Sequence, residues 1–340
     1  MPFPGKKNGP RDLSRPLERL ELRCDERHDG LRLDQVLAAL LHWRSRTSIR
    51  KLLQEGLVTL SDGRPVKAAR RMSYGDEIVI DIPQPPEPVD VFPDDWEVPV
   101  VYEDRFLVAV DKPAGLTVHP SGRRVHGTLI HMLHKRFRRP DDPAHDVVPR
   151  LLHRLDRETS GVIAVGLDDR FHGEVRAQFE ERTVRKVYLA VVHGRPSEDE
   201  GWIDYSIGPD RRSPIRLKQE ARRDGTGQSA RTRYQVLRSN DRFSLVELHP
   251  ETGRTHQLRV HMDAIGCPLV GDKVYGVDAE IFLNALEDRL TDDQRSELVL
   301  DRHALHAAEL HLFHPRREER LRLHAPLPSD MANLVPAGGD

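Results

Sequence analysis

Asp156 lies in the stretch LLHRLDRETSGVIAVG, Leu151 to Gly166, with Arg154 two residues ahead, Arg157 and Glu158 directly behind, and a Thr-Ser-Gly turn leading into an apolar run. If the segment is extended, Arg154 and Asp156 project to one side. A carboxylate held beside arginines stays ionised and can be aimed into a cleft, where it serves as a nucleophile or a base. The plainer reading is an ordinary ion pair and a capped turn, since structural charge networks are common. The residues downstream weigh against it. Lys186 and Tyr188 lie two apart in RKVYLAVVHG, and ETGRTHQLRVHM adds Arg254, His256, Gln257, Arg259 and His261 around a glycine turn that leads into a helix.

Taken together, these motifs resemble the RluA-type pseudouridine synthases, which isomerise uridine in ribosomal or transfer RNA. The likeness rests on HRLDRETSG, then KVYLAVVHG, then GRTHQLRVHM with PLVGDKVYG behind it, in that order, and VDKPAGLTVHPSG ahead of them. It extends from about Val98 to Pro328. The implied reaction breaks the bond from the ribose anomeric carbon to the base nitrogen, rotates the base and rejoins it through ring carbon 5. Nothing is oxidised and no group is lost, so neither a metal nor a redox cofactor is expected. By this resemblance Asp156 is the essential aspartate, attacking the nucleotide or promoting cleavage, and Tyr188 stacks on the base and takes part in proton transfer. Arg259 is the basic residue that pairs with the aspartate, with Arg254 as the other candidate. His153, Arg154, Arg254, His256 and Gln257 are expected to contact RNA, and Arg154 to fill the gap left when the target base leaves its stack.

The elements that must position these groups read as α+β, with a mixed, largely antiparallel sheet and flanking helices, because strands and helices alternate without a regular βαβ rhythm. VPVVYEDRFLVAVDKPAG predicts two strands about a turn, GVIAVGL a short buried strand, and FHGEVRAQFEERTV a helix. ARTRYQVLRSNDRFSLVELHP predicts a hairpin turning at Ser-Asn-Asp, and HQLRVHMDAIG a helix. Ahead of them, LRLDQVLAALLHW and SRTSIRKLLQEG predict two short helices, the second with a serine cap, before the strands LVTL and DEIVI. This opening unit resembles the small RNA-binding domain first described in a ribosomal protein. Arg44, Arg46, Arg50 and Lys51 are its candidate RNA contacts. The resulting division is a mobile arm over 1–30, the small domain over 31–82, a proline-rich spacer over 83–95, the catalytic domain over 96–328 and a tail over 329–340.

Composition adds bounds. The 340 residues carry 53 basic and 55 acidic side chains, a net charge of −2, which alone gives no reason to suspect a nucleic-acid partner. That balance conceals a basic region, Arg44 to Arg71, and an acidic helical one, Val277 to Asp301. Arg211 to Arg233 is a second basic stretch that could follow a phosphate backbone. Two cysteines, no apolar run of bilayer length and no signal-like start suggest a cytoplasmic protein without a membrane partner. A monomer acting on large-subunit ribosomal RNA is expected, with transfer RNA the other substrate. The pairs His303 with His306, His311 with His314 and His131 with His134 have metal-like spacing but no cysteine cluster to complete a zinc site. Two further readings remain to be tested: an RNA-binding assembly factor without activity, and a glycoside hydrolase using Asp156 and Glu158.

Overall fold

A computed structural model of the chain describes residues 19–41, 46–63, 66–81, 98–120, 127–139, 141–142 and 145–336. These fall into two units, one within 19–81 and one within 98–336.

In the first unit, β1 (Arg19–Arg23) precedes α1 (Leu33–Leu40), α2 (Arg46–Gln54), β2 (Val58–Leu60) and β3 (Glu77–Asp81). The strands form an antiparallel sheet in the order β1-β3-β2. Helical spacing turns Leu33, Val36 and Leu37 inward, and they share a core with Ile49, Leu52, Val58, Ile78 and Ile80. The unit begins earlier than sequence reasoning expects. Instead of a mobile arm to residue 30, Arg19–Arg23 pairs along its length with β3, and Leu20 and Leu22 pack on the core. Its alternation, RLELR, is too short and too charged to stand out as a strand signal. Arg50 and Lys51 are exposed on α2, where Lys51 pairs with Glu55 at 3.6 Å. Arg44, the serine cap and the Arg46 side chain lie outside the described residues, as does the spacer at 83–95.

The second unit opens with β4 (Val100–Glu103), β5 (Leu107–Lys112), α3 (Leu129–Phe137), β6 (Arg150–Leu151), β7 (Ser160–Gly166) and α4 (Asp169–Glu180). It continues through β8 (Arg185–His193), β9 (Glu200–Ile203), β10 (Ser206–Pro209), β11 (Gln219–Arg222), β12 (Thr232–Ser239), β13 (Phe243–Pro250) and α5 (Gln257–Ala264). It closes with α6 (Ala279–Leu286), α7 (Asp292–Leu298), β14 (Leu305–His314), β15 (Glu319–His324) and α8 (Ser329–Ala332). The main sheet runs β4-β5-β7-β14-β8-β13-β12-β9, with β15 on β14 and β6 on β7. Among the described strands, β7 with β14 is the parallel pair; the others are antiparallel. The fold is thus α+β with a mixed, mainly antiparallel sheet. No described helix is long and apolar enough to cross a membrane.

Local sequence explains the strands that frame the site. β7 is buried at every position because it is covered on both faces, so its residues are continuously apolar or small. At its start Gly161 has φ +108°, and a Cβ there would lie 2.3 Å from the Ala307 carbonyl oxygen, so only glycine permits this pairing. β12 and β13 form the expected hairpin, closed by the Asn240 carboxamide accepting from the Arg242 and Phe243 N–H groups. The acidic stretch folds as α6 and α7, capped by Asp278 and Thr291. Residues 329–336 are no loose tail. Met331 and Val335 are buried against Val191, Leu245 and Val270, and Arg302 holds Asp330 at 2.7 and 2.9 Å.

Candidate active site

Asp156 lies in the loop between β6 and β7, and neighbouring groups hold that loop from three sides. Lys112, fully buried at the end of β5, donates its three protons to the carbonyls of Pro113, Leu116 and Arg157 at 2.8, 3.0 and 3.0 Å. Burial lowers the Lys112 ammonium to about 7, and the charge of Asp156 opposes that fall. Glu158 accepts from Lys273 at 3.0 and 3.1 Å and from the His303 N–H at 3.3 Å. Thr159 is hydrogen-bonded to His303 at 2.8 Å, and Ser160 to His306 at 2.9 Å. The two histidines with metal-like spacing therefore serve as loop anchors. Among the described residues, no three His, Cys, Asp or Glu side chains gather as metal ligands. Glu158, bound to lysine, does not flank a bond opposite Asp156, which removes the paired-carboxylate arrangement of a glycoside hydrolase.

Facing this loop, α5 presents Arg259. Its Nε and one Nη hold the carboxylate of Asp272 at 2.6 and 2.7 Å, and the other Nη reaches Asp156 at 3.3 Å. The three side chains differ sharply in exposure: 0% for Asp272, 7% for Arg259 and 41% for Asp156. Burial would raise the Asp272 carboxyl, but the charge and hydrogen bonds of Arg259, with the Val274 N–H, hold it down at about 2. Asp272 in turn keeps the Arg259 guanidinium charged against its own burial. Tyr275 packs under that guanidinium, 5.1 Å from ring centre to Cζ. Its hydroxyl accepts from the Gln219 N–H at 3.0 Å and is hydrogen-bonded to His256 Nδ1 at 2.9 Å. Desolvation lowers the His256 imidazole to about 4, so it is neutral at neutral pH. His256, with φ +58°, turns the chain into α5.

Tyr188, on β8 beside β14 and β13, completes the group. Burial, reinforced by the charge of Asp156, raises its phenol, which is therefore protonated at neutral pH. A cavity of about 140 Å³ is lined by Asp156, Tyr188, Arg259, Lys186, Arg254 and His256, among others. Arg154 lines it too, exposed and without a hydrogen bond to any described residue. The geometry decides the pairing left open by the sequence, because Arg254 donates its Nε to the Ser229 carbonyl while Arg259 reaches Asp156.

Two expected RNA contacts are committed elsewhere. Gln257 has no polar capacity left: its carbonyl oxygen accepts from Thr252 and the Arg254 N–H, and its amide donates to Arg231 and Thr232. It pins the loop that carries Arg254. His153 accepts from the Ala164 N–H at 3.0 Å and stacks on Phe179 with ring centres 5.2 Å apart. Desolvation and the nearby Lys186 charge bring it to about 3. It is a wall of the loop, absent from the cavity lining. The basic stretch 211–233 is partly neutralised: Glu220 pairs with Arg212 and Arg222, Glu251 with Arg231, and Glu200 with Arg233.

The model of the RNA pseudouridylate synthase family matches residues 106–264, and that of the S4 domain residues 31–78. An uncharacterized RNA pseudouridine synthase of Bacillus subtilis, YlyB, is 35% identical over 94% of this chain and 98% of its own. This chain belongs to the RNA pseudouridine synthases.

Other members of the family are also similar to this chain. A protein named ribosomal large subunit pseudouridine synthase D from Zymomonas mobilis is 35% identical over 90% of this chain and 93% of its own. The solved human RNA pseudouridylate synthase domain containing 1 is 28% identical, with a TM-score of 0.53, over 70% of this chain and 88% of its own. This pseudouridine synthase is accordingly an isomerase acting on RNA, and its S4 domain is an RNA-binding unit. Sequence reasoning passed over Lys112, Asp272 and Tyr275. Each left a signal: a lysine closing the apolar run LVAVDK, and a carboxylate and a phenol set into the otherwise apolar PLVGDKVYG.

Proposed function

We propose that this synthase isomerises uridine in large-subunit ribosomal RNA, with Asp156 as the reacting carboxylate. The observation that carries the reading is that Asp156, alone of the three linked charges, has one oxygen without a hydrogen-bond partner among the described residues, inside a cavity that also holds Tyr188. Arg259 supplies a fixed counter-charge, and because Asp272 already saturates its other face, the guanidinium need not move when substrate enters.

Asp156 either attacks the nucleotide or stabilises the cationic sugar as the bond from N1 to the anomeric carbon breaks. The freed uracil turns against the Tyr188 ring, carbon 5 takes the place of N1, the proton leaves carbon 5, and N1 gains one. While Asp156 is ionised its charge disfavours a Tyr188 phenolate; once that charge is consumed in a bond to substrate, the phenol loses its proton more readily. Every electron stays within the nucleotide, so no redox cofactor or metal enters the scheme. The Zymomonas mobilis relative named ribosomal large subunit pseudouridine synthase D supports the ribosomal target. A cytoplasmic monomer suits a target assembled in that compartment.

The test uses ribosomal RNA transcripts carrying tritium at uridine carbon 5. The parent releases tritium, Asp156→Asn releases none, and both bind the RNA. Release by the variant at the parent's rate removes Asp156 from the reaction, and binding without release by either favours a non-catalytic assembly factor.

A further inference from the structure

The residues lining the cavity are unbalanced in charge. Asp156 is their single carboxylate, against Arg154, Lys186, Arg254 and Arg259. Arg259 is matched by Asp156 and Asp272, which leaves Lys186 as the notable excess. It stands on β8 two residues before Tyr188, is half-buried, and its ammonium makes no hydrogen bond or ion pair with a described residue. Desolvation disfavours its charged form, and the positive charge of Arg182 adds to that. Even half-buried, an ammonium facing a cavity without an anion is unfavourable, and a partner that arrives with the ligand would relieve it. A uracil ring is neutral, whereas every nucleotide in RNA brings a phosphodiester. Gly253 lies beside the amine, where a Cβ would come 3.9 Å from Nζ, and as a glycine it adds no side chain there. Arg254, next along the chain, has only its Nε engaged among its guanidinium nitrogens.

We propose that Lys186 and Arg254 form a phosphate-binding subsite that holds a phosphodiester flanking the target uridine. This rests on the reading of the cavity as the uridine site. Held there, the phosphate fixes the ribose above Asp156 while the base is free to turn, so the anchor lies on the part of the nucleotide that does not rotate. Lys186 is a binding residue in this assignment and takes no proton in the reaction.

The experiment uses the full chain and a synthetic stem-loop containing a uridine that the parent modifies, with the phosphates on either side replaced singly by neutral methylphosphonate. Lys186→Met lowers kcat/KM at least about tenfold, mainly through KM, and makes the salt dependence shallower by about 0.7 in log–log slope. Lys186→Arg restores most of the loss. At one of the two positions methylphosphonate costs the parent as much as the substitution does, and costs Lys186→Met nothing more. The thermal midpoint of Lys186→Met is no lower than the parent's, because an unpartnered charge is removed. Losses that multiply at both positions, a fall in kcat with KM and salt slope unchanged, or a midpoint several degrees lower overturn the assignment. A parent that modifies no uridine in any RNA overturns the uridine-site reading as well, which separates the two failures.

Discussion

Asp272 grips Arg259 through both carboxylate oxygens, at 2.6 and 2.7 Å, with neither side chain open to solvent. The bidentate geometry fixes the guanidinium plane and leaves a single nitrogen for Asp156. Asp272→Asn would retain the shape and remove the charge, stranding a buried arginine. The expected cost is about 3 kcal/mol or more in urea unfolding, with activity lost in parallel. Unfolding indistinguishable from the parent's would show that Arg259 does not depend on this pair.

The phenol of Tyr188 has two separable parts. Tyr188→Phe preserves the ring and removes the proton, so RNA affinity should hold while kcat falls on the order of 10²-fold or more. Tyr188→Ala removes the stacking surface too and should weaken binding. Equal kcat for parent and Tyr188→Phe in single-turnover assays would confine the tyrosine to stacking.

Lys112 spends all three protons on carbonyls that shape the Asp156 loop, and it does not itself line the cavity. Lys112→Met fits the space but leaves those carbonyls unpaired, a loss of about 2 kcal/mol or more. Activity should fall through kcat with KM little changed, because the misplaced group is the carboxylate. A variant with full activity and parental stability would count against the loop's dependence on this anchor.

His303 and His306 are buried and neutral, the first held well below its ordinary value and the second at about 4, chiefly by desolvation. The unfolded chain takes up protons at these residues near pH 6.5, and the folded one does not. Stability therefore declines as pH falls from about 6.5 toward 4, by up to about 1.4 kcal/mol per histidine per pH unit. Denaturant midpoints at pH 7, 6 and 5 should fall steadily, and His306→Gln should flatten the decline. An unchanged midpoint across that range would mean that protonation is accommodated without unfolding.

Much of this arrangement could be read directly from the sequence. α5 follows from the spacing in HQLRVHM, β7 from a short β-branched run, and the hairpin from Ser-Asn-Asp between alternating strands. The resemblance to the family singled out Asp156, Tyr188 and Arg259, with Arg254 left as the other candidate partner. It could not tell how polar groups would be used. Gln257 and His153 have the chemistry to meet RNA, yet their hydrogen bonds go to Thr232 and Ala164, partners chosen by tertiary folding alone. Asp272 escaped for the same reason, since a loop carries it back to an arginine on another element. β1 was missed because five residues are too few to establish a period.

Ala307 on β14 lies in register with Gly161 on one side and Tyr188 on the other. Two strand spacings, roughly 10 Å, therefore separate the strand that receives the Asp156 loop from the one that carries the phenol. That interval is a gauge made of peptide units, and no side chain can widen or narrow it. Evolution can recolour the walls of the slot to suit one RNA or another, while the clearance in which a pyrimidine must turn is inherited with the sheet.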